Sequence, residues 1–485
     1  MVFDLDNCRD RIVRLTVNSS NLSDALLSPK GDKLYYTARF EGSPDLWMHD
    51  LKEGTTSIVL KGVGGGELVT DKDFKNVYAL SGGTIKQIDV EKKSTKNIGF
   101  EATFNYKAAD ERDYIFSHVW QQVKDKFYLP DLHGVDWEGL KANYSRFLPY
   151  INNNYDYAEM MSELLGELNA SHTGMRYYAP SGRLATANLG VFIDDTYKGD
   201  GIKVAEVIAK GPFAVKKTDV KAGSIIESID GTKITSDMDY YPLLEGKAGK
   251  QVRVSVLNPD GKRFEVVVKA ITTAQRTDLL YDRWVERNKQ KVKELSDGKI
   301  AYVHVKAMDS PSFRTVYKDL LSDENRQKQA AVVDERHNGG GWLHDDLCTL
   351  LAGEQYQSFM PRGQYIGYDP YNKWVKPSCV LMCEDDYSNG HGFPWVYKTL
   401  GIGKLVGAPV AGTMTAVWWE YVIDQTLMFG IPEVGCMDMQ GRYQENLQLE
   451  PDITVYNTPE EMLRGEDKQL EAAVREMLRQ TAYAN

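Results

Sequence analysis

The chain has 485 residues, a formal net charge of -11 at pH 7 and 42% hydrophobic residues. This length favours several domains over a single core. The acidic balance argues against a nucleic-acid partner, which needs a basic face to bind phosphates, and no apolar run is long enough to predict a membrane span.

Residues 1–104 have the pattern of short strands separated by turn residues. Segments 27–36 and 45–51 resemble segments 71–80 and 84–90 in their alternation of apolar and polar residues. A repeat of about 40 residues with this alternation is typical of propeller blades. Because so few blades cannot close a ring, we expect a propeller remnant whose earlier blades are cut away. The start of the sequence shows no signal peptide, and the choice between cytoplasm and periplasm stays open.

Residues 105–182 change to a helical pattern. Apolar residues recur at helical spacing and predict one buried stripe, formed by Tyr157, Met160, Met161, Leu164, Leu165 and Leu168. Asp156 and Glu159 predict a capping box at the start of this helix. The helix is expected to end near Leu168 and to present Ser171 and His172 in the turn that follows.

Residues 183–274 form a compact unit of predicted strands. The segment 189–193 resembles the carboxylate-binding loop and following strand of PDZ domains, and the segment 222–234 resembles their strand-turn-strand motif. PDZ domains bind an extended peptide by adding it to an open sheet edge. The resemblance therefore implies that Gly190, Val191 and Phe192 bind substrate.

Residues 275–485 alternate apolar strands with helices, which is typical of an α/β domain. A buried strand at 330–334 leads into Gly339, Gly340 and Gly341 and then into a helix near Trp342. Glycines at such a turn let backbone amides face a cleft. Taken alone, this segment fits three interpretations equally well: a phosphate cradle, an oxyanion hole or an ordinary tight turn. A final amphipathic helix is predicted from about Pro459 to Gln480.

Ser388 follows a second apolar strand at 378–382 and stands in a glycine-containing turn before a helix. A serine at a strand-to-helix turn is held as a nucleophile elbow holds its serine. The alternative is a helix N-cap, where serine is favoured in any case. Further along, Glu445 precedes a Pro-Asp turn that a surface location would explain equally well.

In their order, these motifs resemble tricorn protease and its relatives among the C-terminal-processing peptidases. The motifs are A-S-H-T at 170–173, the PDZ-like insert, D-x-R-x-N-G-G-G from Asp334, Y-S-x-G-x-x-F from Tyr387 and E-N-x-x-x-x-P-D from Glu445. The resemblance implies a crotonase-like fold for the last domain and a peptide or unfolded-protein substrate. It also makes self-assembly into multimers an expectation, since the family commonly forms rings.

The family pattern implies roles for individual residues. Ser388 matches the nucleophile and His172 the general base, while Ser171 and Glu445 match a relay that supports the imidazole. The oxyanion hole is expected from the backbone amides of Gly340, or Gly339 by a one-place slip, and of Asn389.

Two departures from the family pattern stand out. Asn389 replaces the usual aspartate, which a backbone role tolerates. Thr413 occupies the position where the Ser-Lys branch of the family carries its lysine base, and this favours a histidine base. The other histidines near the motifs are His337, His344 and His391; His391 is the alternative base, since it follows Ser388 closely in sequence.

The chain has five cysteines, and such a small and odd number does not fit a disulfide framework. Cys379 and Cys383 lie in one apolar run without an adjacent His or Cys pair, so we expect core packing, no metal and no cofactor. Two alternatives to a peptidase stay open. One is an inactive PDZ-containing peptide-binding protein, and the other is a crotonase-like acyl-transfer enzyme that would bind coenzyme A.

Overall fold

The computed structural model describes residues 5–16, 19–40, 42–180, 184–216 and 218–482. The chain divides into two compact units, Met1–Tyr106 and Lys107–Asn485. The predicted domain boundary between residues 182 and 183 lies outside the described residues. No helix in the described part of the chain is long and apolar enough to cross a membrane.

The first unit contains two four-stranded antiparallel sheets, each with its strands in sequential order. Leu46, Val77 and Ile88 are fully buried in its core, so the alternation in the sequence reflects one core-facing side of each strand. A 3-10 helix at Cys8–Arg11 precedes the sheets. The strands are β1 (Asn21–Leu27), β2 (Lys33–Arg39), β3 (Asp45–Asp50), β4 (Thr55–Leu60), β5 (Glu67–Thr70), β6 (Val77–Ser81), β7 (Thr84–Asp89) and β8 (Ser94–Ile98).

The second unit begins with three helices, α1 (Ala108–Lys126), α2 (Trp137–Ser145) and α3 (Asn154–Gly166), followed by the short strand β9 (Met175–Tyr177). Every residue of the predicted apolar stripe is buried, which confirms that prediction, and the last of them, Leu168, lies just after the end of α3. The predicted capping box is wrong. Asn153 is the N-cap, and its side chain accepts a hydrogen bond from the Asp156 amide, because the helix begins earlier than the sequence pattern suggested.

A β-rich part follows, with strand order β10-β11-β12-β14-β15 and with β13 paired to β12. Strand β10 lies at the edge of this sheet. A 3-10 helix at Tyr241–Leu244 follows β13 in the sequence. The elements are β10 (Val191–Ile193), β11 (Ile202–Val207), α4 (Pro212–Val215), β12 (Ile225–Ile229), β13 (Thr232–Lys233), β14 (Gln251–Leu257) and β15 (Arg263–Lys269).

The remainder is built on a five-stranded parallel sheet in the order β16-β17-β20-β21-β24. The central strands are buried over their whole length, as expected for a parallel sheet covered on both faces. The elements are α5 (Thr273–Leu295), β16 (Ile300–His304), α6 (Ser310–Leu320), α7 (Asp323–Arg326), β17 (Ala330–Asp334), α8 (His344–Leu351), β18 (Gln357–Phe359), β19 (Gly367–Asp369), β20 (Ser378–Met382), α9 (Asn389–Thr399), β21 (Lys404–Gly407), β22 (Thr415–Tyr421), β23 (Leu427–Gly435), β24 (Ile453–Thr454), α10 (Pro459–Leu463) and α11 (Lys468–Ala482).

Two predicted helices differ from the structure. The helix after the glycine turn begins at His344 rather than near Trp342. The final helix is divided into α10 and α11, and Gly465 lies between them with a φ of 77°. A positive φ is accessible to glycine but does not continue a right-handed helix, so the chain turns there before α11 begins.

Strand β9 connects the helical part to the parallel-sheet part. It pairs with β23, placing Met175 opposite Phe429 and Arg176 opposite Met428. A side chain at Gly430 would meet the carbonyl oxygen of His172 at 2.2 Å. This close backbone approach brings the turn after α3 to the edge of the sheet formed by β22 and β23.

Candidate active site

Ser388 occupies a strained turn between β20 and α9. Its backbone has φ 59° and ψ -120°, and its side chain makes no capping hydrogen bond although the residue stands at the N-cap position. Its amide donates instead to Thr413 Oγ1 at 2.8 Å. The turn therefore does not use the hydroxyl as a cap, and it holds the serine as a nucleophile elbow does.

The glycine turn packs directly against this serine. A Cβ at Gly340 would lie 2.5 Å from the Ser388 Cβ and 3.0 Å from its Oγ. The Tyr387 amide donates to the Asn338 carbonyl at 2.9 Å, and the Asn338 amide donates to Asp386 Oδ1 at 3.0 Å. These bonds fasten the two turns to each other at the ends of β17 and β20.

His172 is the start of a hydrogen-bonded relay. Its Nδ1 lies 2.7 Å from Ser171 Oγ, and that hydroxyl donates to Glu445 Oε2 at 2.9 Å. The Ser171 amide also donates to Glu445 Oε1 at 2.5 Å. Thr415 Oγ1 lies 3.1 Å from both Ser171 Oγ and His172 Nδ1.

The relay fixes the tautomer of His172. A hydroxyl has one hydrogen to donate, and Ser171 gives it to the acceptor-only carboxylate of Glu445. Ser171 Oγ is then an acceptor toward Nδ1–H of the imidazole. The second ring nitrogen, Nε2, is left with its lone pair, which is the form a general base needs.

Burial favours the neutral form of this imidazole. Loss of solvation, with a smaller contribution from the charge of Arg176, lowers the pKa of His172 to about 4. Burial raises the pKa of Glu445, while its hydrogen bonds from Ser171 act in the opposite direction. His172 is therefore available as an uncharged proton acceptor at neutral pH.

His172 and Ser388 line the same cavity of about 500 Å³. The His172 ring packs against Tyr387, with ring centroids 4.8 Å apart, and the His172 amide donates to the Tyr387 hydroxyl at 2.6 Å. Within the described residues, no direct hydrogen bond joins the His172 ring to Ser388 Oγ. Such bonds are often long before substrate binds.

The predicted oxyanion donors differ in availability. The Gly340 amide donates to Asn338 Oδ1 at 2.9 Å, which counts against it as a free donor. Gly339 lines the cavity, and in the described part of the structure its amide has no acceptor. The amide of Asn389, the first residue of α9, has no acceptor there either. The Asn389 side chain accepts bonds from the amides of Leu343 and His344, so it anchors α8.

The other histidines do not line the cavity that contains Ser388. His391 is fully buried and packs against Trp395. His337 bonds to Asp385, and His344 bonds to the Asn389 side chain. The geometry thus favours His172 over the alternative base His391.

The predicted peptide groove is a separate surface. Val191 and Phe192 lie on the edge strand β10, and Gly190 precedes it with a φ of 71°. A side chain at Gly190 would meet Pro212 Cδ at 2.4 Å. A cavity of about 350 Å³ separates β10 from the 3-10 helix at Tyr241–Leu244.

Sequence reasoning missed three residues that touch this site. Thr415 contacts both Ser171 and His172, Tyr387 holds the His172 backbone, and Thr413 accepts the Ser388 amide. Tyr387 had a signal, since it precedes Ser388 directly. Thr413 was noticed only as the position without a lysine, and nothing in the local sequence distinguishes Thr415.

Three family models match successive parts of the chain. They are the Tricorn protease C1 domain at residues 108–166, the Tricorn protease PDZ domain at 190–273 and Peptidase family S41 at 299–455. The matched regions contain α1 to α3, the β-rich part and the parallel sheet. These matches confirm the resemblance to tricorn protease and its relatives that the order of the motifs indicates.

Similar proteins include Tricorn protease homolog 1 of Streptomyces coelicolor, 27% identical over 83% of this chain and 39% of that protein. The Putative Tricorn-like protease C-terminal subunit of Sulfurisphaera tokodaii is 26% identical over 76% of this chain and 44% of that protein. The crystal structure of the tricorn protease has a TM-score of 0.80 at 20% identity, covering 93% of this chain and 46% of that one. The chain thus spans less than half the length of these relatives.

Proposed function

From the premise that the chain is a tricorn-type relative of the S41 peptidases, we propose that it is a serine peptidase that hydrolyses oligopeptides or unfolded proteins through an acyl-enzyme on Ser388. The observation that carries this proposal is the convergence of Ser388 and the Glu445–Ser171–His172 relay on one cavity. Neither the peptide-binding alternative nor the acyl-transfer alternative needs such a relay.

In the proposed mechanism, Ser388 Oγ attacks the scissile carbonyl carbon while its proton passes to His172 Nε2. The imidazolium is supported through Nδ1–H by Ser171 and Glu445. Collapse of the tetrahedral intermediate breaks the C–N bond, and the proton from Nε2 goes to the leaving amine. A water then gives a proton to His172 Nε2 while its oxygen attacks the ester carbon. Collapse of this second tetrahedral intermediate breaks the bond between the carbonyl carbon and Ser388 Oγ, and Oγ regains the proton from Nε2 as the acid leaves.

We assign the oxyanion hole to backbone amides of the two packed turns. Asn389 and Gly339 supply the amides that lack an acceptor in the described structure, and this supports the one-place alternative to Gly340. Gly340 would contribute its amide only after releasing Asn338 Oδ1. In the structure Gly340 has a steric role, because the absence of a side chain lets the turn approach Ser388.

The domain division proposed from the sequence is 1–104, 105–182, 183–274 and 275–485. The matches at 108–166, 190–273 and 299–455 support the last three parts. We further propose that the two sheets before residue 105 are propeller-like blades and that the last part has a crotonase-like fold. Self-assembly of the chain into a multimer is also part of the proposal.

We propose that Gly190, Val191 and Phe192 guide an extended peptide along β10. The open edge of this strand supports the assignment, since it offers main-chain groups for one more antiparallel partner. Arg276 and Arg283 flank the Phe192 ring at 5.2 and 5.1 Å, and Arg283 is paired with Glu206. The Arg276 guanidinium would favour a peptide with acidic groups.

The test is degradation of an unfolded protein by the full chain, followed by mass spectrometry of the products. The wild-type chain should release peptides, and Ser388→Ala should release none above background. Ser312→Ala, a matched serine substitution on α6, should leave degradation unchanged. Peptide binding without cleavage by the wild type would support the inactive alternative, and measurable coenzyme A binding by calorimetry would support the acyl-transfer one.

A further inference from the structure

The cavity beside Ser388 contains a cation but no carboxylate. Arg176 is the one lysine or arginine on its described walls, which carry no Asp or Glu. The walls are formed by His172, Thr173, Arg176, Gly339, Gly341, Trp342, Tyr387, Ser388, Met414, Thr415, Ala416, Val417 and Trp419. The Arg176 guanidinium is therefore the charged group that a ligand in this cavity meets on its walls.

Arg176 is held in place without an ionic partner. It lies on β9, opposite Met428 of β23, and its guanidinium carbon lies 4.2 Å from the centroid of the Trp419 ring. Within the described ranges it forms no ion pair and no side-chain hydrogen bond. Its donors remain available, and the stacking on Trp419 restricts their direction.

We propose that Arg176 binds a carboxylate of the peptide that Ser388 cleaves. The inference rests on the proposed peptidase function and adds the substrate's charge to it. A guanidinium binds a carboxylate in a bidentate manner, and such charge-assisted bonds are stronger than neutral ones. The carboxylate comes either from an Asp or Glu side chain near the scissile bond or from the C-terminus of a short peptide.

The two sources are separated with matched peptides. The same peptide is made in three versions, with Glu, Gln or Lys next to the cleaved bond. Each version is made once with a C-terminal acid and once with a C-terminal amide. The wild type should cleave the carboxylate-bearing versions about 10-fold to 100-fold more efficiently, as expected for one hydrogen-bonded charge pair. A preference that follows the Glu side chain identifies a side-chain subsite, and one that follows the free acid identifies a C-terminal anchor.

Arg176→Gln should abolish this preference, and Arg176→Glu should reverse it. Arg263→Gln, at an exposed ion pair with Glu227 in the β-rich part, is the matched control and should keep the preference. A wild type that cleaves all versions equally would overturn the role of Arg176 and leave the peptidase function intact.

Peptide affinity gives an answer that does not depend on turnover. In a Ser388→Ala background, calorimetry should show tighter binding of the carboxylate peptides, and adding Arg176→Gln should remove the difference. Equal affinities in both backgrounds would overturn the subsite. If the affinity difference is present but the wild type cleaves nothing, the subsite stands and the proposed function fails.

A second inference rests on a different cluster, formed by His337, Cys383 and Asp385. Asp385 Oδ1 lies 3.0 Å from His337 Nδ1 and 2.8 Å from Cys383 Sγ, and these nitrogen and sulfur atoms are 3.8 Å apart. Cys383 is buried, while His337 and Asp385 are exposed. The cluster opens to a separate cavity of about 470 Å³.

We propose that this cluster binds one divalent ion of the zinc class. Ligands at zinc distances in a tetrahedron lie about 3.3–3.7 Å from one another, so small side-chain movements would suffice. Thiolate, imidazole and carboxylate are all zinc ligands, and water would fill the fourth position. Sequence spacing gave no hint, because His337 comes from the β17 turn and the other ligands from the β20 turn.

The position of the cluster gives the ion a structural consequence. His337 directly precedes the turn that contains Asn338 and Gly340, and Cys383 and Asp385 precede Ser388 on the other turn. An ion bound to all three would join the two turns that form the active site. This adds to the backbone bond between Tyr387 and Asn338.

Cobalt is a suitable probe because its bond to a thiolate absorbs light. Titration of the metal-free wild type with Co²⁺ should give a thiolate-to-cobalt charge-transfer band that saturates at one equivalent and disappears when Zn²⁺ is added. Cys383→Ser and His337→Gln should each weaken or remove the band, and Cys436→Ser should keep it. Absence of a band in the wild type, or an unchanged band in both ligand variants, would overturn the site.

Discussion

Glu445 Oε2 accepts the hydroxyl hydrogen of Ser171 at 2.9 Å, although the two residues are 274 positions apart in the chain. The bond leaves Ser171 Oγ as an acceptor toward His172 Nδ1 at 2.7 Å. One carboxylate thus determines which nitrogen of a distant imidazole carries hydrogen. The proposed base depends on the helical part and the parallel-sheet part meeting at this bond.

Ser171→Ala is expected to lower kcat more than it raises KM. The substitution removes the hydroxyl that orients the imidazole, while Thr415 Oγ1, 3.1 Å from Nδ1, supplies a partial replacement. We expect a loss of about 10²-fold, within the usual contribution of general-base catalysis. Steady-state kinetics with a neutral peptide measure it, and an unchanged kcat would remove Ser171 from the relay.

The pH profile of kcat/KM should have its acid limb near pH 4. His172 accepts the proton only when neutral, and burial with the charge of Arg176 lowers its pKa to about 4. Activity should therefore fall as pH decreases through this value and stay level toward pH 7. Arg176→Gln should move the limb to higher pH, because one repulsive charge is removed. A limb at the ordinary histidine pKa in the wild type would contradict this assignment.

Gly340→Ala should reduce activity by about 10²-fold or more, as expected for displacement of the reacting groups by about 1 Å. The new Cβ would lie 2.5 Å from the Ser388 Cβ, at a backbone φ of 94°. Gly99→Ala is the matched control, because nothing lies within 4 Å of its added Cβ and the residue has no part in the proposed oxyanion hole. Circular dichroism would verify folding, and equal activity of the two variants would argue against close packing at Gly340.

Glu335→Leu should stabilise the protein at pH 8. Glu335 is fully buried, neither of its carboxyl oxygens has a hydrogen-bond partner among the described residues, and burial with nearby Asp386 raises its pKa well above the ordinary value. The folded state therefore holds a proton that the unfolded state releases, and stability decreases as pH rises between the unfolded and folded pKa values.

Removing this unpaired polar group should contribute about 1–3 kcal/mol to the free energy of unfolding. Thermal unfolding from pH 4 to pH 8 measures the effect, and the variant should show the larger gain at the higher pH. Glu450→Leu, at an exposed position, should not change the slope with pH. A variant that is less stable than the wild type throughout would contradict the assignment of Glu335 as an unpaired buried acid.

Periodicity predicted the parts of the fold that depend on local pattern. The stripe from Tyr157 to Leu168 and the strand Ala330–Asp334 are buried as expected, because alternation and helical spacing report directly on burial. The start of α3 was predicted wrongly, since several residues before the stripe can cap a helix and the sequence does not rank them.

The site was only partly predictable, because its contacts join distant segments. The order of motifs led to Ser171, His172, Ser388 and Glu445, yet it gave no reason to notice Thr415 or Arg176. Their roles follow from the pairing of β9 with β23 and of β22 with β23. The bond from the Gly340 amide to Asn338 Oδ1 was likewise not predictable from the sequence, because it depends on side-chain orientation within the turn.

Reaction with a fluorophosphonate, followed by peptide mapping, tests most directly whether His172 activates Ser388. The wild type should carry one phosphonate adduct, located on Ser388, and His172→Ala should form it far more slowly at neutral pH. Ser388→Ala should carry none, and His391→Ala should react at the wild-type rate if it folds normally. An adduct on another residue, or an unchanged rate in His172→Ala, would contradict the proposed catalytic pair.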